Sequence, residues 1–385
     1  MTSDHSPATK QRDLRLDFFR GVALLLIFIA HVPDNWLSRY RPGYFGFSDS
    51  ADIFVFVSGY AAAIAYGRIF LRSGFLVGTG RIVKRFGELY ACHLGLFFAV
   101  AVFCVTGNRF LATSIDYVGL LNLGYFFENA QEALFGLFSL TYVPNYFDIL
   151  PMYMVVLAML PAVVLFARVH WTLAGAVCVA LYLAVQIFRL ELPAEIAFRR
   201  SWFFNPFAWQ LLFYTGFFLG AGWLRPLPSR TWLAVLCFLF LLLSVPVSHY
   251  PTYSRFEWLG ALTKHIAPVI SKTNLGVLRW LHFLCLAYLS VLFLKGREHV
   301  LNGKLAAPVV KTGQQALPVF VTGMTLSLLA GMALDVWGRG FVSIAAVNAA
   351  GIGMLMLFAY AVAWFKSQPW RNPNRSRRPE DRPQP

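Results

Sequence analysis

Ten apolar stretches of membrane-spanning length recur along the chain, and no other feature limits its possible folds so strongly. They cover residues 16–35, 50–70, 87–106, 146–167, 171–190, 206–224, 231–247, 278–295, 314–334 and 342–365, and a helix of roughly 20 residues crosses a hydrocarbon core of about 30 Å. In lipid every backbone N–H and C=O must be satisfied within a helix or a closed barrel, and strand-like alternation is missing. The expected fold is therefore all-α: a polytopic integral membrane protein of about ten transmembrane helices. Composition agrees, because 58% hydrophobic and 13% charged residues, with a mean hydropathy of +0.59, exceed what one soluble core could hide. The first run follows a charged stretch and leads into "HVPDNW" without a small-residue cleavage pattern, so it reads as a spanning helix and not as a signal peptide.

The expected division is a cytoplasmic N-terminal segment (1–15), one transmembrane domain (16–365) and a tail (366–385). That tail is rich in Pro, Arg and Asn, has nothing to bury, and is expected to be disordered beside anionic headgroups. Residues 111–142 are interrupted by Asp116, Asn122, Glu128, Asn129 and Glu132. A pair of short helices, partly buried or lying on the surface, is expected there.

The formal charge of +15 does not point to nucleic acid, since the basic residues are spread over loop after loop and form no stripe. With both termini cytoplasmic, most of the 33 lysines and arginines fall on the inside, as short cytoplasmic loops require. The five cysteines (Cys92, Cys104, Cys178, Cys237 and Cys285) lie in apolar runs without C-x-x-C spacing. Disulfides, metal ligation and a tightly bound cofactor are not expected.

What composition leaves unexplained is a set of polar side chains in the spans. In "LDFFRGVALLLIFIAHVPD" (16–34), His31 is about 1,100° of helical rotation beyond Arg20, hence within about 20° of the same face, with about 16 Å of helix between them. Asp17 lies about 40° off that face. Either these residues mark the membrane boundary, with Arg20 snorkelling, or His31, whose imidazole titrates nearest neutrality, transfers protons. Asp34 either orients His31 from one turn away or is a loop carboxylate. Asp52 begins the second span on the same side and reads as a helix cap, as the orienting partner of His31, or as both. "SGY" (58–60) supplies a small-residue site for close helix approach.

In "RIVKRFGELYACHLG" (81–95), Arg81, Lys84, Arg85 and Glu88 are spaced three and four apart, which suits a multiply phosphorylated donor or an ordinary positive-inside signal. His93, deeper in the same run, is either a core hydrogen-bond member or part of a polar path on the donor side. On the outer half, Asp148, Arg199, Arg200, Asn205, Trp209, Gln210, His265, Arg279 and His282 stand at or within span ends, among Tyr146, Trp202 and Trp280. They read as an acceptor pocket in which flat sugar faces pack on rings, or, for each aromatic singly, as an interfacial belt. Gln314 and Gln315 open the ninth span.

Arg20, ten intervening residues and His31, in a helix opened by "LDFFRG", resemble the signature of the membrane acyltransferase-3 superfamily, and "DIFVFVSGY" resembles its second-helix motif. Together with "DILPMY", "FNPFAWQ", "LRWLHFLCLAYL" and "GQQALPVFVTGMTLS", the chain resembles the OpgC family over residues 12–365. The superfamily pattern "FFVLSG" is replaced here by "IFVFVSG". The resemblance implies a multi-pass protein of the bacterial inner membrane that moves an acyl group from cytosolic acyl-CoA, succinyl-CoA in glucan-modifying members, to a hydroxyl of a periplasmic glucan. It implies His31 as general base and Arg20 as a residue tied to the donor. On that reading Arg81, Lys84 and Arg85 take the donor's phosphates, Asp52 supports His31, and Arg279 or Arg199 meets a succinyl carboxylate or the oxyanion. Two alternatives stand beside it: an O-acetyltransferase of another extracytoplasmic polysaccharide, and a proton-coupled transporter. The transporter is disfavoured by the absence of a visible repeat and of broken midplane helices. The residues carry no signal for oligomeric state.

Overall fold

The computed structural model describes residues 13–195 and 199–370. Most of the expected N-terminal segment (1–12) and of the expected disordered tail (371–385) lies outside the described residues. The chain is helical almost throughout: α1 (Leu14–His31), α2 (Ser50–Arg72), α3 (Gly74–Phe110), α4 (Ala130–Ser139), α5 (Ile149–Val169), α6 (Trp171–Phe188), α7 (Pro206–Ala221), α8 (Thr231–Ser248), α9 (Glu257–Ile270), α10 (Val277–Leu294), α11 (Ala306–Gln314), α12 (Ala316–Trp337) and α13 (Phe341–Ser367). A small antiparallel hairpin, β1 (Pro193–Glu195) and β2 (Arg200–Ser201), precedes α7.

Among the described residues, eight helices are long and apolar enough to cross a membrane. Of the ten expected spans, α1 and α7 fall outside that group. Helix α1 carries Arg15, Asp17 and Arg20 within 18 residues. Helix α7 has 16 residues, about 24 Å of helix, because its sequence stops it at both ends. Asn205 caps its start ahead of Pro206, and Gly222 closes it in the left-handed region at φ 76°, as Asn-Pro and Gly signals direct. Apolar around nearly its whole circumference, α7 is buried on most of it: Trp209, Leu212, Phe213 and Tyr214 are inaccessible to solvent, and the stripe of Phe207, Leu211, Thr215 and Leu219 is partly exposed.

Helix α7 is pressed against α2, and glycine sets the distance. A Cβ on Gly59 of "SGY" would stand 1.9 Å from the Phe213 carbonyl oxygen, and one on Gly216 would stand 2.2 Å from that of Phe56. Only residues without a side chain allow backbones this close. At its own start α2 is fixed by a capping box: Asp49 accepts from the Ala51 N–H, and Asp52 accepts from the Asp49 N–H at 2.8 Å.

The interrupted stretch after α3 folds as three short helices where a pair was expected: Tyr117–Leu120, Gly124–Glu128 and α4. Tyr117, Leu123 and Leu137 are buried beneath them. The chain then runs through Tyr142–Asp148 into the bundle, tied down by the hairpin. The Val143 N–H donates to the Ala194 carbonyl at 2.7 Å, and Arg200 donates to the Val143 carbonyl at 2.6 Å and to Asn145 Oδ1 at 3.0 Å. Tyr146 within this segment has φ 91°, a strained backbone for a residue with a side chain.

Candidate active site

Two polar regions stand at opposite ends of α1. Around Arg20 opens a cavity of about 760 Å³ lined from α2 by Phe54, Ser58 and Tyr66, from α3 by Arg81, Lys84, Arg85, Glu88, Leu89 and Cys92, from α5 by Ile149, Leu150 and Tyr153, and at its mouth by Gln314, Gln315 and Lys366. The three basic residues singled out on α3 therefore share one cavity with Arg20, although some 60 residues of chain separate them. Arg20 is held there by Asp17, 3.8 Å away, and by the Val57 carbonyl, to which it donates at 3.3 Å. Arg85 pairs with Glu88 at 2.8 Å, and Lys366 donates to Gln315 at 2.7 Å. A cation-rich cavity with apolar inner walls is built for a molecule that is anionic at one end and extended and uncharged at the other.

At the other end of α1, His31 Nδ1 lies 2.7 Å from the Ile27 carbonyl oxygen. A carbonyl can only accept, so Nδ1 carries the proton and Nε2 keeps the basic lone pair. The ring stands edge-on to Tyr146, with centroids 5.3 Å apart, and the Tyr146 hydroxyl is engaged by Ser327 Oγ and the Met324 carbonyl on α12. Asp34, expected one turn away, is exposed with φ 49° in the turn after α1.

Asp52 differs from the expectation. Its carboxylate is taken by Arg279, whose Nε donates to Oδ1 at 3.0 Å and whose terminal nitrogen meets Oδ2. The orienting bond to His31 comes from the Ile27 backbone instead. Asp49 joins the same group: Lys272 donates to it at 2.7 Å and Arg279 lies 3.4 Å away. The guanidinium also sits over the Trp209 ring, 5.7 Å from its centroid. Burial alone would raise the Asp49 carboxyl, but the Lys272 and Arg279 charges beside it outweigh that and hold it below the ordinary carboxylate range. Two acids and two bases thus form a neutral clamp joining α2 to α10, in which Nε and one terminal nitrogen of Arg279 are spent on the two carboxylates.

Most residues expected on the acceptor side are spent on the fold. Asn205 donates to the Leu190 carbonyl at 2.6 Å and to Asn274 at 3.0 Å. Trp209 donates to the Lys272 carbonyl at 2.9 Å, and Gln210 to that of Cys178 at 2.7 Å; both side chains are inaccessible. His282 shares a hydrogen bond with Ser48 at 2.8 Å. Arg199, with φ 51°, and His265 on α9 are exposed. His93 is buried, Asp148 is half-buried with its Oδ1 out of reach of solvent, and His93 packs against Phe147 with ring centroids 6.4 Å apart.

The family model described as "OpgC protein" matches residues 12–367, nearly the whole chain. The chain belongs to the OpgC family. It is an OpgC-type membrane acyltransferase that acts on periplasmic glucan, and its family chemistry depends on acyl-CoA. No curated protein and no solved structure matches it.

Within this OpgC-family chain, sequence reading passed over Ser327 near His31, Asp49 and Lys272 in the clamp, and Tyr153 and Lys366 at the cavity, and it offered Tyr146 as an acceptor-side aromatic, not as a neighbour of His31. Asp49 was legible as the residue three before Asp52, the spacing of a capping box. Lys272 and Ser327 carry no local signal, since each acts on residues more than 150 positions away.

Proposed function

We propose that this chain transfers a succinyl group from cytosolic succinyl-CoA to a hydroxyl of a periplasmic glucan, with His31 as general base. The observation that carries the reading is the arrangement along α1. Its Arg20 end lines a cavity with Arg81, Lys84 and Arg85, and its other end presents an imidazole whose Nδ1–H is spent on Ile27. The cavity end is taken as cytoplasmic, because the positive-inside distribution puts the basic loops there.

In this scheme the nucleotide phosphates lie among Arg81, Lys84 and Arg85, and the arm runs past Arg20 toward His31. The glucan hydroxyl arrives from the periplasm. His31 Nε2 removes its proton as the oxygen attacks the thioester carbonyl. The C–S bond breaks, the proton on His31 passes to the departing thiolate, and glucan ester and CoA result. Transfer is direct and leaves no acyl group on the protein.

The test is purified protein in proteoliposomes with succinyl-CoA or acetyl-CoA and a glucan, with ester followed by mass. Succinyl ester should form, and His31→Ala should lower turnover by about a hundredfold or more, the usual contribution of a general base. Full turnover by folded His31→Ala removes the base assignment. Acetyl ester alone favours the O-acetyltransferase, and uptake without covalent change favours the transporter.

A further inference from the structure

His93 and Asp148 have no task in the account so far, yet both are left in a condition that folding disfavours. His93 is inaccessible to solvent and neither ring nitrogen has a hydrogen-bond partner among the described residues; Asp148 Oδ1 is buried in the same state. A leucine at position 93 would avoid the desolvation of two polar atoms, so an imidazole there calls for another explanation. Their place in the fold supplies one. Leu89 and Cys92 of α3, with Ile149 and Leu150 of α5, line the cavity. His93 is the next residue after Cys92 and one turn beyond Leu89, and Asp148 immediately precedes Ile149. Phe147, between Asp148 and the His31-contacting Tyr146, stands perpendicular to the His93 ring. His93 and Asp148 do not themselves line the cavity: they stand directly behind that lining, on the side where Phe147 meets His93 and Tyr146 meets His31.

Their chemistry narrows what could satisfy them. A neutral imidazole offers one hydrogen-bond donor and one acceptor, and a carboxylate oxygen offers an acceptor. A phosphate would be repelled by Asp148, and a plain hydrocarbon would need neither group. A secondary amide presents one acceptor and one donor, the complement of the imidazole, and the N–H of a second amide complements the carboxylate. We infer that His93 and Asp148 form a collar that reads the two amides of the pantetheine arm of acyl-CoA, His93 taking one amide and Asp148 the N–H of the other. This rests on the donor reading above and adds a point of selection to it. The protein recognises the arm as well as the nucleotide, and Phe147 turns off the His93 ring when the arm enters.

The experiment measures binding by calorimetry on the purified full-length protein in micelles, with CoA and with adenosine bisphosphate, the nucleotide half that lacks the arm. His93→Leu should weaken CoA binding about tenfold, the scale of a lost buried hydrogen bond, and leave adenosine bisphosphate unchanged. His93→Gln, which can still donate and accept, should recover most of the loss. Asp148→Ala should show a smaller loss with the same indifference to the nucleotide alone. The melting temperature of His93→Leu should match or exceed that of the wild type, which separates the result from misfolding. Wild-type CoA affinity in His93→Leu, or an equal loss for both probes, overturns the collar alone. Wild-type protein that binds neither probe overturns the donor reading and the collar with it.

Discussion

Removing Arg279 tests whether Asp52 belongs to the clamp or to the base. The Asp52 side chain is fully buried and that of Arg279 is 6% exposed, so the charges are screened by protein and not by water. Arg279→Met leaves Asp52 with the Asp49 N–H as its hydrogen-bond donor and leaves Asp49 with Lys272. Breaking a buried pair by truncating one partner costs roughly 3–5 kcal/mol, since the surviving charge stays desolvated; proton uptake by Asp52 limits the loss to the lower part of that range. Asp52→Asn should cost a similar amount by leaving Arg279 underpaired. Because the two losses share one cause, the double variant Asp52→Asn/Arg279→Met should be less destabilised than their sum, by about 1–3 kcal/mol. Equilibrium unfolding in mixed micelles, followed by tryptophan fluorescence, reads all four corners of the cycle. In parallel, Asp52→Asn should leave the pH profile of transfer in its wild-type position, because His31 is oriented by Ile27. The reasoning is refuted if Asp52→Asn unfolds within about 0.5 kcal/mol of wild type while its pH profile moves. The carboxylate would then serve the imidazole.

Three further outcomes follow from the geometry. Gly59→Ala puts a methyl 1.9 Å from the Phe213 carbonyl oxygen, so α2 and α7 must separate; the yield of folded protein and its melting temperature should fall sharply, by gel filtration and thermal scanning. Asp49 is held below the carboxylate range in the folded state, so its stabilising contribution is present above the unfolded value of about 4 and is lost only as pH falls through the lower folded value. Lys272→Met raises that folded value toward the unfolded one, so the variant should melt below wild type near neutral pH and should lose less further melting temperature than wild type as pH falls below about 4. Arg81→Gln combined with Arg85→Gln should raise KM for acyl-CoA, leave kcat little changed and reduce the salt dependence of KM, measured as initial rates at rising ionic strength.

The bundle was legible because hydropathy and helix punctuation act locally: the long apolar runs, the cap at the start of α2 signalled by Asp52, and the small residues of "SGY" each point to what they do. Charge type and helical spacing grouped Arg81, Lys84 and Arg85, and it was the family resemblance that tied Arg20 to the same donor. The partner of Asp52 was not legible. A carboxylate at the start of α2 is close in sequence to the histidine on α1, whereas the cation that the fold brings to it, Arg279, is 227 residues away. Asn205, Trp209 and Gln210 looked like sugar ligands because amides and rings serve packing and recognition alike. Helix α7 is apolar on every side, so periodicity could not say that these side chains face inward. Tyr146 was hidden for a different reason, since its contact with His31 depends on a strained backbone held by the hairpin.

The segment Tyr146–Phe147 has a meaning for the cell as well as for the reaction. A bacterial inner membrane stores energy as a proton gradient, and an enzyme working across it must never become a pore. The Tyr146 ring packs edge-on against His31 and against Phe147, while Phe54 and Phe320, stacked 6.0 Å apart, line the cavity. On the mechanism proposed above, that aromatic packing would let the two compartments exchange an acyl group without sharing water and would keep the thioester from hydrolysis until a sugar hydroxyl is in place.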